Sequence, residues 1–203
     1  MTWPQDPSET DRQALWLVLY QVQDPMNFGA VLRSAYLFGV KKILKTSQNS
    51  CSLTPVVSKA SAGVMEVIDI YSINQQITDF IQAQQQLGWA VIGTTGQSQP
   101  VLRTSGMTEG IATGPGVSPV ARCLTNLLMQ DYSFDKPTIL IVGNEGSGLP
   151  VEVLRACDQI VYAELADRTA DKGDNYVLDS LNVSVATGIL LHCLTVLKMK
   201  KRT

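Results

Sequence analysis

The sequence contains few of the residues from which metal and redox sites are built. Its 203 residues include one histidine and four cysteines, which lie far apart at Cys51, Cys123, Cys157 and Cys193. No C-x-x-C pair occurs among them, so the pattern argues against a zinc site or a disulfide framework and is typical of reduced thiols in a protein core. We therefore expect no bound metal, and a metal hydrolase is excluded because its ligands are missing.

An excess of charge of one sign is also absent, because 16 basic side chains stand against 18 acidic ones and the formal net charge is −2. This balance excludes a protein that holds nucleic acid by bulk positive charge, whereas local basic patches remain compatible with it. The candidates for local phosphate contacts are Lys41, Lys42, Lys45 and Arg103.

Long apolar runs and targeting signals are missing as well. No segment approaches the roughly 18 to 20 apolar residues of a membrane-spanning helix, so we expect no membrane association. Residues 1–7 lack the basic region and apolar core of a secretory signal, and they are not rich in arginine as a mitochondrial transit peptide is. We expect either a cytoplasmic protein or a chain whose targeting sequence has been removed.

What the sequence does contain is a regular alternation of short apolar runs with amphipathic stretches. Strands are predicted over residues 15–22, 42–46, 67–71, 89–94, 138–142 and 159–165. Helices are predicted over residues 30–38, 56–67, 73–87, 121–129, 150–156 and 181–200, with a long loop over 95–119. This order predicts a single α/β domain over residues 1–203, with a largely parallel sheet, helices on both faces and a ligand site beyond the carboxyl ends of the strands.

Three loops contain more polar side chains than a turn requires. In the first, Asn27 precedes a helix and Arg33 lies about one helical turn inside it. One interpretation is a capping asparagine with a solvated arginine. The other is an anion or ribose site at a helix N-terminus, where backbone N–H groups and the helix dipole favour negative charge.

The second loop is the glycine-rich turn over residues 143–148, which follows an apolar strand. Its glycines have the spacing of a phosphate loop, but Leu149 and Pro150 stand where that loop requires lysine and serine or threonine. Glu145 would also repel phosphate. Its carboxylate is suited instead to holding a tight turn or to accepting hydrogen bonds from hydroxyl and amide donors.

The third loop begins the last predicted helix. Ser180 is a candidate cap, and Asn182 and Ser184 both lie in the first turn. Residues 182–184 also match the N-glycosylation sequon, but glycosylation is not expected without a secretory signal.

Taken in this order, the three loops resemble the motifs of the SpoU (TrmH-like) family of RNA ribose 2′-O-methyltransferases. The first family motif is an asparagine followed six residues later by an arginine, as in Asn27 and Arg33. The second, Gly-x-Glu-Gly after an apolar strand, matches residues 143–146, and the third, Ser-Leu-Asn-Val-Ser-x-Ala, matches residues 180–186. Residues 49–59 and 61–63 resemble the mitochondrial branch of the family, which methylates a guanosine ribose of large-subunit ribosomal RNA.

The resemblance implies a SPOUT fold, in which the C-terminal part of the chain is threaded as a trefoil knot. It implies that the knot region binds S-adenosylmethionine and pairs two subunits into a homodimer. The implied cofactor-binding residues are Thr94, Gly143, Ala163 and Leu181, with Gly143 letting a purine approach the backbone closely. It further implies a mitochondrial location and a catalytic domain without the N-terminal RNA-binding domain that this subgroup usually carries.

The resemblance also implies the catalytic residues, which are Asn27, Arg33, Glu145, Asn182 and Ser184. A guanidinium stays protonated in proteins and is a poor base, so we expect Arg33 to hold a phosphate and stabilise the developing alkoxide while another group or water takes the proton. Glu145 is expected to orient Arg33 or the ribose, or to brace the structure. The alternative function is a non-catalytic α/β nucleotide-binding or RNA-scaffold module that retains the fold, and the intact motif residues argue against it.

Overall fold

Seven parallel strands form one sheet in the part of the chain that the computed structural model describes, which comprises residues 14–96, 121–123, 136–163 and 180–200. In chain order they are β1 (Leu15–Leu19), β2 (Lys42–Thr46), β3 (Ile70–Ile73), β4 (Ala90–Thr94), β5 (Ala121–Cys123), β6 (Thr138–Val142) and β7 (Gln159–Tyr162). Their order across the sheet is β3-β2-β1-β6-β4-β7-β5. The parallel α/β architecture is therefore confirmed.

The described residues also contain five α-helices and one short 3₁₀ helix. They are α1 (Pro25–Leu37), α2 (Pro55–Ala60), the 3₁₀ helix Val64–Glu66, α3 (Ile77–Gln86), α4 (Val151–Ala156) and α5 (Val183–Lys200). None of the helices in these ranges is both long enough and apolar enough to cross a membrane.

The central strands β1 and β6 are buried on both faces. Every residue of β1 and of β6 is buried, and Leu17 pairs in register with Leu140. Alternate residues of β1 feed two separate apolar layers: Leu17 packs with α1, α2 and α5, whereas Trp16 packs with α3 and α4. Because each large side chain buried in this way stabilises the fold by roughly 1.5 to 3 kcal/mol, the sheet holds the loops at its carboxyl edge firmly.

Helix α1 begins five residues before the predicted start, because the cap is not where the sequence analysis placed it. The Asp24 carboxylate accepts hydrogen bonds from the backbone N–H of Met26 at 2.7 Å and of Asn27 at 3.4 Å. Pro25 then occupies the first helical position, where its missing N–H is not needed. Asn27 consequently lies within the first turn of the helix.

Two other helix predictions are wrong in part. The helix predicted over residues 121–129 is contradicted at Ala121–Cys123, which pair with β7 as an edge strand; residues 124–129 lie outside the described part of the chain. Tertiary pairing here overrides a helical sequence pattern. The helix predicted over residues 56–67 is interrupted after Ala60, because Ala62 and Gly63 adopt φ angles of 53° and 82°. Strand β3 therefore begins at Ile70, not at residue 67.

The predicted loop over residues 95–119 lies almost wholly outside the described residues. Strands β2 and β6 have the predicted bounds, and α4 and α5 begin one and two residues later than predicted.

Close packing of α1 on α2 depends on Gly29. A Cβ atom at this position would lie 2.5 Å from the Cβ of Ala60 and 2.8 Å from the backbone oxygen of Val57. The two helices could not keep this separation if residue 29 carried any side chain.

We expect Gly29→Ala to lower the free energy of unfolding by about 1 to 2 kcal/mol, because overpacking outweighs the roughly 1 kcal/mol that alanine gains over glycine in a helix. Urea unfolding followed by circular dichroism measures this. The double variant Gly29→Ala, Ala60→Gly should lose less free energy of unfolding than the two single variants lose in sum. A Gly29→Ala protein as stable as wild type would contradict the packing argument.

Candidate functional site

A cavity of about 180 Å³ opens beyond the carboxyl ends of β4, β6 and β7. All four residues expected to bind a cofactor, Thr94, Gly143, Ala163 and Leu181, line this one cavity. They come from the end of β4, from the turn after β6, from the residue following β7 and from the segment before α5. Their meeting follows from the parallel sheet, which brings the carboxyl ends of its strands to one edge.

The walls of the cavity combine apolar side chains with exposed backbone. Val142, Leu181, Val183 and Leu190 supply the apolar part, and the turn over residues 143–148 supplies peptide groups. Such a lining suits a flat, partly polar ligand of moderate size.

Residue 143 must be a glycine for a structural reason that differs from the expected one. A Cβ at Gly143 would collide with the backbone of Gly148 and lie 2.5 Å from the backbone nitrogen of Leu149. The missing side chain is thus required by the turn closing on itself, independently of any purine that approaches it.

The turn itself is held by Asn144. Its side-chain oxygen accepts hydrogen bonds from the backbone N–H of Gly146 at 2.8 Å and of Ser147 at 3.2 Å. The backbone N–H of Gly148 donates to the carbonyl oxygen of Asn144 at 3.0 Å, which completes the loop.

Glu145, which projects from this turn, reaches across to the loop between β1 and α1. Its carboxylate accepts the backbone N–H of Gln23 at 3.3 Å and that of Asp24 at 3.1 Å. It also accepts side-chain N–H bonds from Asn27 at 3.5 Å and from Asn144 at 3.3 Å. These four donors match the roughly four lone-pair positions of a carboxylate, so the geometry is that of a brace.

Asn27 connects this brace to the third motif. While its amide nitrogen donates to Glu145, its side-chain oxygen accepts a hydrogen bond from the side-chain nitrogen of Asn182 at 3.0 Å. The oxygen of Asn182 in turn accepts the backbone N–H of Ser184 at 2.9 Å and the hydroxyl of Ser184 at 2.7 Å. Four of the five expected catalytic residues thus belong to one hydrogen-bonded chain.

Arg33 is the fifth, and it lies outside that chain. It is exposed on α1, six residues beyond Asn27, which places it roughly 120° around the helix. Within the described part of the protein it makes no hydrogen bond to the other motif residues. Its guanidinium is consequently available to an external group.

The lysines considered for phosphate contacts do not lie together. Lys41 and Lys42 are at the amino end of β2, where the Lys42 ammonium lies 5.0 Å from the centre of the Trp16 ring. That edge is opposite the cavity. Lys45 is near the carboxyl end of β2, and Arg103 lies outside the described residues.

Two thiols illustrate the environment of the core. Burial raises the pKa of Cys157 to about 12, with a further contribution from Asp158. Burial also raises the pKa of Cys51, opposed by nearby Lys45 and reinforced by Asp24 and Glu145. Among the described residues, no three His, Cys, Asp or Glu side chains are grouped so that they could hold a metal ion.

Sequence reasoning missed Asp24, Asn144 and the pair Gln21 and Thr46. The pair Asp24 and Pro25 is a helix-start signal, because aspartate caps a helix and proline suits its first position. Asn144 lies between Gly143 and Glu145, at the position where the second motif accepts any residue. Gln21 carries no sequence signal at all, because its φ of 53° arises only where the chain leaves β1.

A second concavity, an open groove of about 530 Å³, runs between α1 and α5. Its lining is mostly small or apolar and consists of Ala30, Ser34, Phe38, Ser184, Val185, Gly188, Ile189 and His192. The side chains of Val185 and Ile189 are 50% and 42% exposed, which is high for residues of an apolar helix.

Residues 14–192 match the sequence model of the SpoU rRNA Methylase family. A human protein named "rRNA methyltransferase 1, mitochondrial" is 47% identical over 182 residues, covering 90% of this chain and 45% of the human protein. The Pseudomonas syringae pv. tomato protein named "23S rRNA (guanosine-2′-O-)-methyltransferase RlmB" is 31% identical, covering 87% of this chain and 56% of that protein. The chain therefore spans about half the length of the curated relatives it matches.

Among solved structures, the AdoMet-bound rRNA methyltransferase from Sinorhizobium meliloti is similar to this chain with a TM-score of 0.66 and 26% identity. The match covers 93% of this chain and 57% of that one.

We expect Glu145→Gln to speed hydrogen exchange at the backbone amides of Gln23 and Asp24 by about tenfold, because an amide has one acceptor oxygen and its NH₂ would face other donors. Exchange followed by ¹⁵N NMR measures this residue by residue. Glu152→Gln, an exposed change on α4, is the matched control and should leave both amides unaffected. Equal exchange in the two variants would show that Glu145 braces nothing.

Proposed function

Because the chain belongs to the SpoU rRNA methylase family, we propose that it transfers a methyl group from S-adenosylmethionine to the ribose 2′-hydroxyl of a guanosine in large-subunit ribosomal RNA. One observation carries the proposal: the hydrogen-bonded residues Asn27, Glu145 and Asn182 adjoin the cavity whose wall includes Gly143 and Leu181. The names of the human and Pseudomonas relatives support ribosomal RNA as substrate and a guanosine ribose as the position.

The cavity fits S-adenosylmethionine in its chemistry. Apolar walls from Val142, Leu181 and Leu190 suit an adenine ring, and the peptide groups of the turn after β6 suit its polar edges. We propose that Thr94, Gly143, Ala163 and Leu181 hold the cofactor there. When bound, S-adenosylmethionine supplies a methyl group already activated on a positively charged sulfur.

The chain's own residues then have to hold the ribose and lower the barrier to its deprotonation. Correct orientation alone can supply roughly 7 to 11 kcal/mol at best. Arg33, exposed and unengaged by the motif network, is suited to holding a neighbouring phosphate and stabilising the developing alkoxide. The links Asn27–Asn182 and Asn182–Ser184 fix the first turn of α5, the helix that packs against α1.

Glu145 is not the proton acceptor in this proposal. Its carboxylate already accepts four hydrogen bonds from described residues, and taking a proton would require some of them to break. We assign it the bracing role, which was one of the two roles expected from the sequence, and water or another group takes the proton.

The groove between α1 and α5 supports the proposal that two copies of the chain form a homodimer. It is apolar and open, and it begins at Ser184, so a partner seated there would adjoin the third motif. Exposed apolar surface of this kind marks interaction sites more often than ordinary surface.

Three further parts of the proposal rest on the family and its members. The position of β6 between β1 and β4, with α5 packed on α1, is compatible with the trefoil knot. The name of the human relative supports a mitochondrial location. We propose that the chain acts as a single catalytic domain.

Calorimetric titration with S-adenosylmethionine, together with transfer of its labelled methyl group to unmodified large-subunit rRNA and nucleoside analysis, tests the function. We expect about one cofactor per subunit and a 2′-O-methylguanosine product. Arg33→Ala should abolish transfer with nearly unchanged cofactor affinity, because it contacts the acceptor side only. The matched control is Arg155→Ala, an exposed arginine on α4.

Each other result has a distinct meaning. Absence of cofactor binding by a folded protein would favour the non-catalytic scaffold. A methyl group on a base would exclude ribose chemistry. Equal loss of affinity and transfer in Arg33→Ala would show that Arg33 builds the cofactor pocket.

We expect Ile189→Asp to convert the dimer to a monomer, because it places a charge in the apolar groove. Light scattering coupled to size exclusion measures the mass. Val67→Asp, at an exposed apolar position that does not line the groove, is the control and should stay dimeric. If the Ile189→Asp protein is still a dimer, the interface does not lie on α5.

A further inference from the structure

The joint between the cavity turn and the loop before α1 depends on the side chain of Asn144. Its oxygen holds the turn, as described above, and its nitrogen donates to the backbone oxygen of Gln21 at 2.8 Å and to the Glu145 carboxylate at 3.3 Å. One primary amide therefore uses both of its polar atoms on two different segments, which lie 123 residues apart in the sequence.

Gln21 is held in place from the opposite side as well. Its backbone N–H donates to the hydroxyl of Thr46 at 2.9 Å, and Thr46 is buried at the carboxyl end of β2. The φ angle of Gln21 is 53°, in the left-handed region that a residue with a side chain seldom adopts. Such a conformation persists only where surrounding contacts fix it, and here those contacts come from Thr46 and Asn144.

Gln21 determines where the chain goes next. Two and three residues later, the backbone N–H groups of Gln23 and Asp24 reach the Glu145 carboxylate, and Asn27 follows in the first turn of α1. A change in the position of Gln21 would therefore move the donors to Glu145 and, with them, Asn27.

We propose that Asn144 is a positioning residue for methyl transfer, whose side-chain amide couples the turn at the cofactor cavity to the loop that carries Asn27. This inference rests on the proposed function. Asn144 acts through Glu145 and Gln21, so its removal should disturb the placement of the acceptor more than the binding of the cofactor.

The variant Asn144→Asp distinguishes the role of the amide oxygen from that of the amide nitrogen. The remaining oxygen can still cap Gly146 and Ser147, but the second oxygen replaces a donor with an acceptor that faces the carbonyl of Gln21 and the carboxylate of Glu145. Protonation of the new carboxyl group at lower pH restores a donor at that position. The variant Asn144→Ala removes both the oxygen and the nitrogen of the side chain, and alanine has no group that could be protonated.

We expect Asn144→Asp to lower kcat about tenfold at about pH 8, with the KM for S-adenosylmethionine changed by less than about threefold. The activity relative to wild type should recover by about threefold or more at about pH 6, whereas that of Asn144→Ala should show no such recovery. Asn74→Asp, which adds the same charge at an exposed position after β3, should behave as wild type.

Thr46→Val tests the same joint from its far side without adding charge, and it should lower kcat with no recovery at low pH. A loss in Asn144→Asp that is independent of pH, or one confined to KM, would overturn the positioning role. An Asn144→Asp protein with kcat within about twofold of wild type would overturn it as well.

Amide exchange on the uncomplexed protein separates this inference from the proposed function. Faster exchange at Gln23 and Asp24 in Asn144→Asp, but not in Asn74→Asp, supports the joint even if the wild-type chain transfers no methyl group. In that case the proposed function fails and the coupling stands. Unchanged exchange at both amides overturns the coupling whatever the activity.

Discussion

The carboxylate of Glu145 joins parts of the chain that lie 121 residues apart, because it accepts the backbone N–H of Asp24 from across the sheet edge. The first and second motifs meet at this group, and Asn27 extends the connection to the third. Amide groups, one carboxylate and the hydroxyl of Ser184 make up this chain of contacts. A charged acceptor with several N–H donors forms stronger hydrogen bonds than neutral pairs do, so the site is fixed largely by this one side chain.

The polar residues of the site differ in whether their hydrogen-bonding atoms are already occupied. Residues with both polar atoms engaged, such as Asn27 and Glu145, hold the loops, whereas Arg33 is exposed and makes no hydrogen bond to them within the described part of the chain. A motif pattern alone does not distinguish these roles, since all of them are polar residues in loops. Counting donors and acceptors distinguishes these roles, because a side chain whose lone pairs are all occupied has little capacity left for substrate.

Several features of the fold were predictable from local sequence because they depend on local physics. Buried five-residue strands such as β2 and β6 follow from apolar runs, and the end of α1 near Gly39 follows from its positive φ of 72°. The wrong predictions share a different cause. Ala121–Cys123 became a strand because β7 offers an open edge, and the break after Ala60 reflects positive φ angles at Ala62 and Gly63. Neither is visible in a short window of sequence.

The sequence by itself determined the parallel α/β class, the three polar motifs and the family they resemble, because periodicity and motif spacing are properties of the chain. Only the tertiary structure decided which polar atoms meet. The bond from Asn144 to Gln21 and the hydrogen bonds that Gln23, Asp24 and Asn27 donate to Glu145 join segments that the sheet order brings together. Hydrogen bonds act over about 3 Å, so their partners are defined by where the strands end in space and not by their distance along the chain.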